Sequence, residues 1–296
     1  MKILTFLLSC LANMLLCVAE VPRVAILGDS ITYAGRWATL VESALHETPM
    51  FSDAVIVNFG LGSETVSGLS ENGHAGGKFP RPCLHERLSR ILDAYRPTHV
   101  LACYGMNDGI YQPLDANRQK AFEDGMVMFK EAVEKRGGRF VVITAPLHDA
   151  DHPSQDPQRY DAVLDAQAAW MSAQKEWQVI DIRQDLRSAI SEVKQKNPGF
   201  VFTGDKVHPG PQGHDFMAAS IVKQLWPLWK LPGTPSMASG EAFDILSQRS
   251  ALLKHAWLTE TKHLRPGVPA GLSLPEAEKQ AAILWEKYRK AHAQKP

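Results

Sequence analysis

The chain has 296 residues, of which 45% are hydrophobic and 22% charged, a composition typical of globular proteins and not of disordered or fibrous ones. Thirty-two lysines and arginines balance 32 aspartates and glutamates, so there is no basic excess to bind nucleic acid. Four cysteines are too few for a disulfide scaffold, and none forms the Cys-x-x-Cys pair typical of structural zinc sites.

The first 19 residues resemble a secretory signal peptide. Lys2 supplies a positive start, a mostly apolar stretch follows, and Cys17-Val18-Ala19 places small residues where signal peptidase cleaves. We expect cleavage before Glu20 and a secreted or periplasmic protein. A retained anchor is the alternative, because the stretch is close to the length that spans a bilayer. No other segment is that apolar, so no stable membrane insertion is expected after cleavage.

From residue 23 to about 230, short apolar segments alternate with longer amphipathic ones. The apolar segments, rich in β-branched residues, predict strands at Val24–Leu27, Ala54–Phe59, Val100–Tyr104, Phe140–Thr144 and Val179–Ile182. The amphipathic segments predict helices at Arg36–Glu47, Leu84–Tyr95, Ala116–Arg136, Gln158–Glu176, Gln184–Lys196 and Gln212–Trp229. Strict alternation predicts an α/β fold in which helices cover both faces of a central parallel five-stranded sheet, a three-layer α/β/α sandwich.

The pattern changes after Trp229. Residues 230–240 are rich in proline, glycine and serine and predict a linker, and the segments Glu241–Trp257 and Leu274–His292 predict amphipathic helices. These helices are too short to fold alone. Residues 231–296 therefore form a linker and C-terminal helical extension, which we expect to pack on the main domain.

Only Cys83 and Cys103 would remain after signal cleavage. Export would permit a disulfide between them, but Cys103 lies within a predicted buried strand. Two separate thiols, one of them a core residue, are therefore expected.

A serine follows the first predicted strand, in the sequence Gly28-Asp29-Ser30-Ile31-Thr32. At a strand-to-helix turn it lies over the edge of the sheet, beside backbone amides that can stabilise an oxyanion. The motif alone leaves a second interpretation open, because serine and aspartate also cap helices.

The loops after the second and third strands contribute further amides. The second strand leads into Asn58-Phe59-Gly60-Leu61-Gly62-Ser63-Glu64-Thr65, whose glycines let backbone amides approach a ligand closely. Two of its glycines match the start of a dinucleotide-binding fingerprint, but threonine replaces the third. The third strand leads into Gly105-Met106-Asn107-Asp108. The Asn107 side chain could donate to an oxyanion or close the loop as an Asx-turn.

An aspartate precedes a histidine by three residues in Gly204-Asp205-Lys206-Val207-His208-Pro209. Asp205 could hold the Nδ1–H of His208 and leave Nε2 free to accept a proton from a serine. Alternatively, Asp205 only caps a turn, or His208 and His214 bind a metal. No further acidic or histidine cluster completes a metal site nearby, so no metal is expected.

In this order, the four blocks resemble the SGNH (GDSL-type) hydrolase family. The resemblance extends over residues 23–230 and leaves the C-terminal helices outside. It implies a flavodoxin-like fold, an SGNH hydrolase-type domain at residues 20–230, and hydrolysis of carboxylic esters without a metal or an organic cofactor.

The resemblance also implies a role for each motif residue. Ser30 is the expected nucleophile, and Asp205 and His208 complete the catalytic triad. The oxyanion hole comprises the amides of Ser30 and of Gly62 or Ser63, with the side chain of Asn107. This family usually has a glycine where Ser63 stands, so the resemblance leaves open which of the two amides donates.

The sequence indicates the substrate less clearly than the reaction. The loops 70–82 and 145–157 are polar, and Trp37, Tyr104 and Tyr111 lie near the catalytic blocks in sequence. Such groups suit a sugar ring better than a long acyl chain, so we expect deacetylation of carbohydrate or small esters. The alternatives are a lipase, lysophospholipase or thioesterase, an O-acyltransferase, and a non-catalytic glycan-binding module. The sequence contains no Gly-x-Ser-x-Gly elbow of α/β-hydrolases, and it carries no signal of an oligomeric state.

Overall fold

The computed structural model describes residues 20–151 and 159–293, so the predicted signal peptide lies outside the described residues. One sheet contains five strands: β1 (Arg23–Gly28), β2 (Val55–Asn58), β3 (His99–Cys103), β4 (Arg139–Ile143) and β5 (Gln178–Ile180). The strands are all parallel, in the order β2-β1-β3-β4-β5. Each overlaps a predicted strand, so the predicted five-stranded parallel sheet is confirmed.

Helices connect and cover these strands. The described part of the chain contains α1 (Ser30–Ala34), α2 (Arg36–His46), α3 (His74–Gly77), α4 (Leu84–Tyr95), α5 (Ala116–Glu134), α6 (Tyr160–Ser172), α7 (Arg183–Lys196), α8 (Pro211–Trp229), α9 (Gly240–Thr261) and α10 (Leu274–Ala293). The ends follow local chemistry: α8 begins at Pro211, where a missing N–H costs nothing, and α5 ends shortly before Gly137-Gly138. None of these helices is long and apolar enough to span a membrane.

Both faces of the sheet are buried, which makes the predicted three-layer sandwich. Along β1, Val24 and Ile26 contact the core on one face, and Ala25 and Leu27 contact the core on the other. Helices α2, α7 and α8 contribute apolar side chains to the first core, and α4, α5 and α9 to the second. The carboxyl ends of β1, β2 and β3 therefore meet at one edge, where the candidate site lies.

The C-terminal extension packs on this sandwich. Trp257 of α9 contacts Phe59 and Tyr95 at ring-centroid distances of 5.9 and 5.0 Å, within the second core. The Arg249 guanidinium donates to the buried carboxylate of Glu42 on α2 at 2.6 Å. Helix α9 is thus part of the layer that covers the sheet.

The two cysteines of the described chain are separate thiols, as predicted. Cys103 is buried at the end of β3, and Cys83 is half-buried before α4. Burial raises the pKa of both thiols, which therefore stay protonated at neutral pH.

Candidate active site

Ser30 begins α1, directly after the carboxyl end of β1. Gly28 is required before it, because a Cβ there would lie 2.1 Å from Oγ1 of Thr32. Asp29 caps α1, its Oδ1 accepting a hydrogen bond from the Ile31 amide at 2.9 Å. The capping role belongs to Asp29, and the Ser30 hydroxyl makes a different contact.

A hydrogen-bonded relay joins three of the predicted site residues. His208 Nε2 lies 2.8 Å from Ser30 Oγ, and His208 Nδ1 lies 2.6 Å from Asp205 Oδ2. The other Asp205 oxygen accepts from the amides of Val207 and His208 at 3.0 and 2.8 Å. Partial burial would raise the pKa of Asp205, but these hydrogen bonds outweigh it and lower the pKa. Asp205 is therefore an anion that orients the imidazole as well as closing its turn.

The segment that carries His208 is fixed to the domain from both sides. The Asp151 carboxylate accepts from the amides of Phe202 and Thr203 at 2.9 and 2.8 Å, and the Gly210 amide donates to the Phe202 carbonyl at 2.8 Å. The Phe202 side chain is fully buried in the first core. These contacts hold the imidazole on a short, anchored loop.

Gly62 and Ser63 occupy the two central positions of one turn. The Glu64 amide donates to the Leu61 carbonyl at 3.3 Å, and the Leu61 amide donates to the Gly28 carbonyl at 2.9 Å, which ties the turn to β1. Ser63 has φ = +66°, the left-handed conformation for which glycine is favoured. Within the described chain, neither central amide donates a hydrogen bond. Both therefore keep an unpaired N–H that an oxyanion could fill.

Asn107 lies beside this turn, with its side-chain amide held at both ends. Its Nδ2 donates to the Glu64 carbonyl at 3.1 Å, and its Oδ1 accepts from the Tyr111 hydroxyl at 3.1 Å. One Nδ2 hydrogen remains for a ligand. The contacts differ from the Asx-turn that the sequence left open.

We expect Asn107→Ala to lower kcat for ester hydrolysis by about 10²- to 10³-fold, the cost of removing one oxyanion donor. Tyr111→Phe removes only the hydroxyl that orients Asn107, so a smaller loss in kcat with little change in KM is expected. Steady-state kinetics on one soluble ester checks both variants. An Asn107→Ala enzyme with wild-type kcat would rule out this oxyanion role.

A buried ion pair holds the turn that contains Gly62 and Ser63 in place. Arg87 donates to both Glu64 carboxylate oxygens at 2.6 and 2.7 Å, and to the Phe59 carbonyl at 2.7 Å. The Tyr104 hydroxyl donates to the same carboxylate at 2.6 Å. The two charged side chains are 1% and 0% exposed. Because Glu64 follows Ser63 directly, this network determines the position of the turn.

We expect Arg87→Met to destabilise the fold by about 3–5 kcal/mol, because it leaves the Glu64 carboxylate buried without a counter-ion. The double variant Arg87→Met/Glu64→Gln removes both charges and should recover part of the loss. Urea denaturation at neutral pH measures the three free energies of unfolding. Equal stability of the single variant and the wild type would contradict the buried pair.

Two further carboxyl groups are buried at the edge of the sheet. Burial raises the pKa of Asp29 to about 7, although the Ile31 amide lowers it and Asp108 raises it further. Burial also raises the pKa of Asp108 to about 6, against the hydrogen bonds that its Oδ1 accepts from Val66 and Ser67 at 2.8 Å. Asp108 thereby joins the loop after β3 to the loop after β2.

Asp29→Asn should flatten the dependence of stability on pH. Because its folded pKa exceeds the unfolded value of 3.8, the wild-type contribution of Asp29 is fully present below pH 4 and is lost as the pH rises through 7. Asparagine keeps the acceptor for the Ile31 amide and does not titrate. We expect a gain on the order of 2–4 kcal/mol at pH 8 and no gain at pH 4. Urea midpoints at both values test this, and a constant difference would contradict it.

Some residues that the sequence suggested for substrate contact lie elsewhere. Trp37 is fully buried in the first core and Tyr104 is 1% exposed in the Glu64 network, so neither lines the site. That expectation is corrected: nearness in sequence to the catalytic blocks does not place a side chain on the surface. Tyr111 does reach the site, through Asn107, and Arg81 of the loop 70–82 donates to the Ser63 carbonyl at 3.4 Å.

The described residues contain no group of three metal-ligating side chains that could hold an ion. His214 is buried, and burial lowers its pKa to about 4. The expectation that the reaction needs no metal or organic cofactor stays a prediction.

The sequence did not indicate the Glu64–Arg87 ion pair, the raised pKa values of Asp29 and Asp108, or a contact from the C-terminal extension. A contact to Gly62 comes from Arg265, whose Nε would lie 2.9 Å from a Cβ placed on that glycine. A charged residue inside an otherwise apolar helix face, such as Arg87 in α4, was the one available signal.

Comparison with known proteins shows the family of the chain. Residues 26–216 match the GDSL-like Lipase/Acylhydrolase family, which is more than half of the chain. The chain therefore belongs to the GDSL-like lipase/acylhydrolase family and is an ester-hydrolysing enzyme. Comparison with curated proteins gives no match.

Solved structures share the fold at low sequence identity. A catalytic mutant of Axe2, an acetylxylan esterase from Geobacillus stearothermophilus, superposes with a TM-score of 0.50 at 18% identity, covering 69% of this chain and 94% of that one. LAE5, an alpha/beta hydrolase enzyme from the metagenome of Lake Arreo, gives 0.50 at 17% identity, with 69% and 94% covered. The gut microbial diltiazem-metabolizing enzyme BT4096 gives 0.49 at 21%, and the match spans only 47% of its length.

Proposed function

We infer that this enzyme cleaves carboxylic esters through an acyl-enzyme on Ser30. The observation that carries the proposal is the continuous relay from Ser30 Oγ to His208 Nε2 at 2.8 Å and from Nδ1 to Asp205 at 2.6 Å. With Nδ1–H donated to Asp205, Nε2 is the acceptor for the Ser30 proton.

The reaction has two steps. In the first, Ser30 Oγ bonds to the ester carbonyl carbon while its proton moves to His208 Nε2, and the imidazolium then protonates the departing alcohol. In the second, His208 takes a proton from water while the water oxygen attacks the acyl carbon, and the imidazolium then returns that proton to Ser30 Oγ as the bond to the acyl group breaks and the acid leaves. The tetrahedral oxyanion of each step accepts hydrogen bonds from the Ser30 amide, the Gly62 or Ser63 amide, and Asn107 Nδ2.

The substrate we propose is an acetylated carbohydrate or another small, hydrophilic ester. The His208 and Asp205 side chains are 46% and 58% exposed, so the site opens onto solvent. The neighbouring rim is polar: Arg81 forms a bidentate ion pair with Glu71 and lies 5.3 Å from the Tyr111 ring. Such a surface suits a hydroxylated alcohol better than a long acyl chain. The structural likeness to an acetylxylan esterase supports the fold on which this proposal depends.

The first test is hydrolysis of p-nitrophenyl acetate, butyrate and octanoate by residues 20–296, followed by release of acetate from acetylated xylo-oligosaccharides. We expect kcat/KM to be highest for acetate. A maximum at octanoate would favour a lipase or thioesterase. Adding a sugar acceptor and analysing the products separates hydrolysis from O-acyl transfer.

We also propose that the enzyme is exported and acts outside the cytoplasm, on the pattern of residues 1–19. Expression of the full chain in a bacterial host, followed by N-terminal sequencing of extracytoplasmic material, tests it. Glu20 as the first residue is the expected result. An intact chain that stays with the membrane would indicate a retained anchor.

A further inference from the structure

Arg265, in the segment between α9 and α10, differs from the other arginines of the described chain. It is partly buried, yet no carboxylate of the described residues lies within 4.0 Å of it. Every other arginine that is buried or half-buried in this part of the chain has such a partner: Arg23, Arg36, Arg81, Arg87, Arg90, Arg118, Arg183, Arg187 and Arg249. A partly desolvated guanidinium without a counter-ion is costly, so its position needs an explanation.

The guanidinium lies against the turn that we assign to the oxyanion hole. A Cβ on Gly62 would lie 2.9 Å from Nε, 3.3 Å from Cζ and 3.4 Å from Nη2 of Arg265. On another side, Cζ lies 5.4 Å from the centre of the Phe79 ring. Arg265 thus fills the space that a side chain at position 62 would take, and a larger residue there would displace the guanidinium.

The segment that carries Arg265 is pinned near both ends. The Thr261 carbonyl accepts from Arg90 at 2.7 Å, and the Gly271 amide donates to Thr259 Oγ1 at 2.8 Å. A Cβ on Gly271 would lie 2.2 Å from the carbonyl carbon of His255, so the segment touches α9 there. The position of Arg265 is therefore set by the packing of the extension.

Most of its hydrogen-bonding capacity is unused. Nη1 donates to the Pro266 carbonyl at 2.8 Å, whereas Nε is buried and has no partner among the described residues. A guanidinium has five N–H donors in a planar fork that matches a carboxylate or sulfate. The other arginine near this turn, Arg81, has its fork filled by Glu71. Among the described residues, the remaining donors of Arg265, on Nη2 and the second N–H of Nη1, have no partner and are the ones that could bind an anion.

We propose that Arg265 binds an anionic substituent of the substrate, so that the enzyme deacylates an acidic glycan. This inference rests on the proposed esterase function and narrows its substrate class. A uronic-acid carboxylate or a sulfate ester near the acylated hydroxyl supplies the same recognition chemistry. Binding such a group next to Gly62 positions the ester carbonyl over the oxyanion turn.

The test uses three substrates that differ in one substituent: a mono-O-acetyl methyl glucuronide, the matching glucoside, and the matching glucoside 6-sulfate. The measured quantity is the ratio of kcat/KM for each anionic ester to that for the neutral one. We expect a wild-type ratio above one, a fall of about tenfold or more in Arg265→Gln, and an intermediate ratio in Arg265→Lys. A higher ratio for the glucuronide or the sulfate identifies the anion.

The matched control is Arg139→Gln, which removes the same charge from an exposed arginine at the amino end of β4, the opposite edge of the sheet. Its ratio should equal that of the wild type. If Arg265→Gln lowers both rates equally, Arg265 only supports the turn and the inference is wrong. A wild-type ratio of one or below also overturns it. No turnover of any ester would instead overturn the proposed function itself, and the neutral ester distinguishes the two failures.

Discussion

Ser30→Ala is expected to lower kcat for ester hydrolysis at least about 10⁴-fold, because it removes the oxygen on which the proposed acyl-enzyme forms. Among the described residues, the hydroxyl makes one polar contact, the 2.8 Å bond to His208, so the fold should be unchanged. Thermal unfolding should therefore give the wild-type Tm. Rates with p-nitrophenyl acetate measure the loss.

Two controls separate the nucleophile from a general effect of losing a hydroxyl. Ser188→Ala changes an exposed serine on α7 and should keep the wild-type rate. A fluorophosphonate should label the wild type on the peptide that contains Ser30, and should leave the Ser30→Ala protein unlabelled. Turnover that survives in Ser30→Ala would refute the nucleophile, as would a label on another serine.

Most of the fold could be predicted because its strands and longer helices are defined by local pattern, whereas the short helices α1 and α3 were not predicted. The strands are short runs of β-branched residues between helix-like segments, and helix α4 begins and ends at the predicted residues Leu84 and Tyr95. The ends of other elements differ by a few residues. Helix α6 is shorter than the predicted segment 158–176 at both ends, and α9 continues four residues past Trp257. Such ends depend on tertiary contacts that a local pattern does not contain.

The site could be predicted where its residues follow a strand directly or stand in a short motif, as Asp205 and His208 do. Ser30 and Asn107 come after β1 and β3, so the meeting of parallel strands at one edge brings them together. Arg87 and Glu64 are 23 residues apart, and their ion pair depends on how α4 docks on the loop after β2. Arg265 reaches Gly62 across about two hundred residues, and no spacing rule indicates such a contact.

The C-terminal extension matters beyond its own stability, because it contacts elements that carry the site. Lys254 donates to the Tyr33 carbonyl at 2.6 Å, and the Tyr33 hydroxyl lies 3.1 Å from His255 Nε2. Tyr33 belongs to α1, the short helix that begins with Ser30. Burial lowers the pKa of Lys254 to about 8, so this contact to the last turn of α1 carries a full charge only below that pH.

Ending the chain at Ser239 is expected to cause the largest loss of stability that we predict. It removes the buried Trp257 and Leu253 from the second core, each of which contributes about 2–5 kcal/mol. It also leaves the Glu42 carboxylate buried without Arg249, which lowers the free energy of unfolding by about 3–5 kcal/mol. Together these losses are about as large as the entire free energy of unfolding of an ordinary domain. The shortened chain should therefore lack a cooperative unfolding transition at 25 °C.

Because that chain would then give no kinetic information, two point variants test the same packing in the full-length enzyme. Trp257→Ala should lower the free energy of unfolding by about 3–5 kcal/mol, and the exposed Ile283→Ala on α10 should leave it within about 0.5 kcal/mol. Urea denaturation measures both. If the extension packed only loosely, Trp257→Ala would be neutral and the shortened chain would melt as the wild type does. If it packs as described, the extension is part of the folding unit, and the same packing determines its contacts with α1 and Gly62.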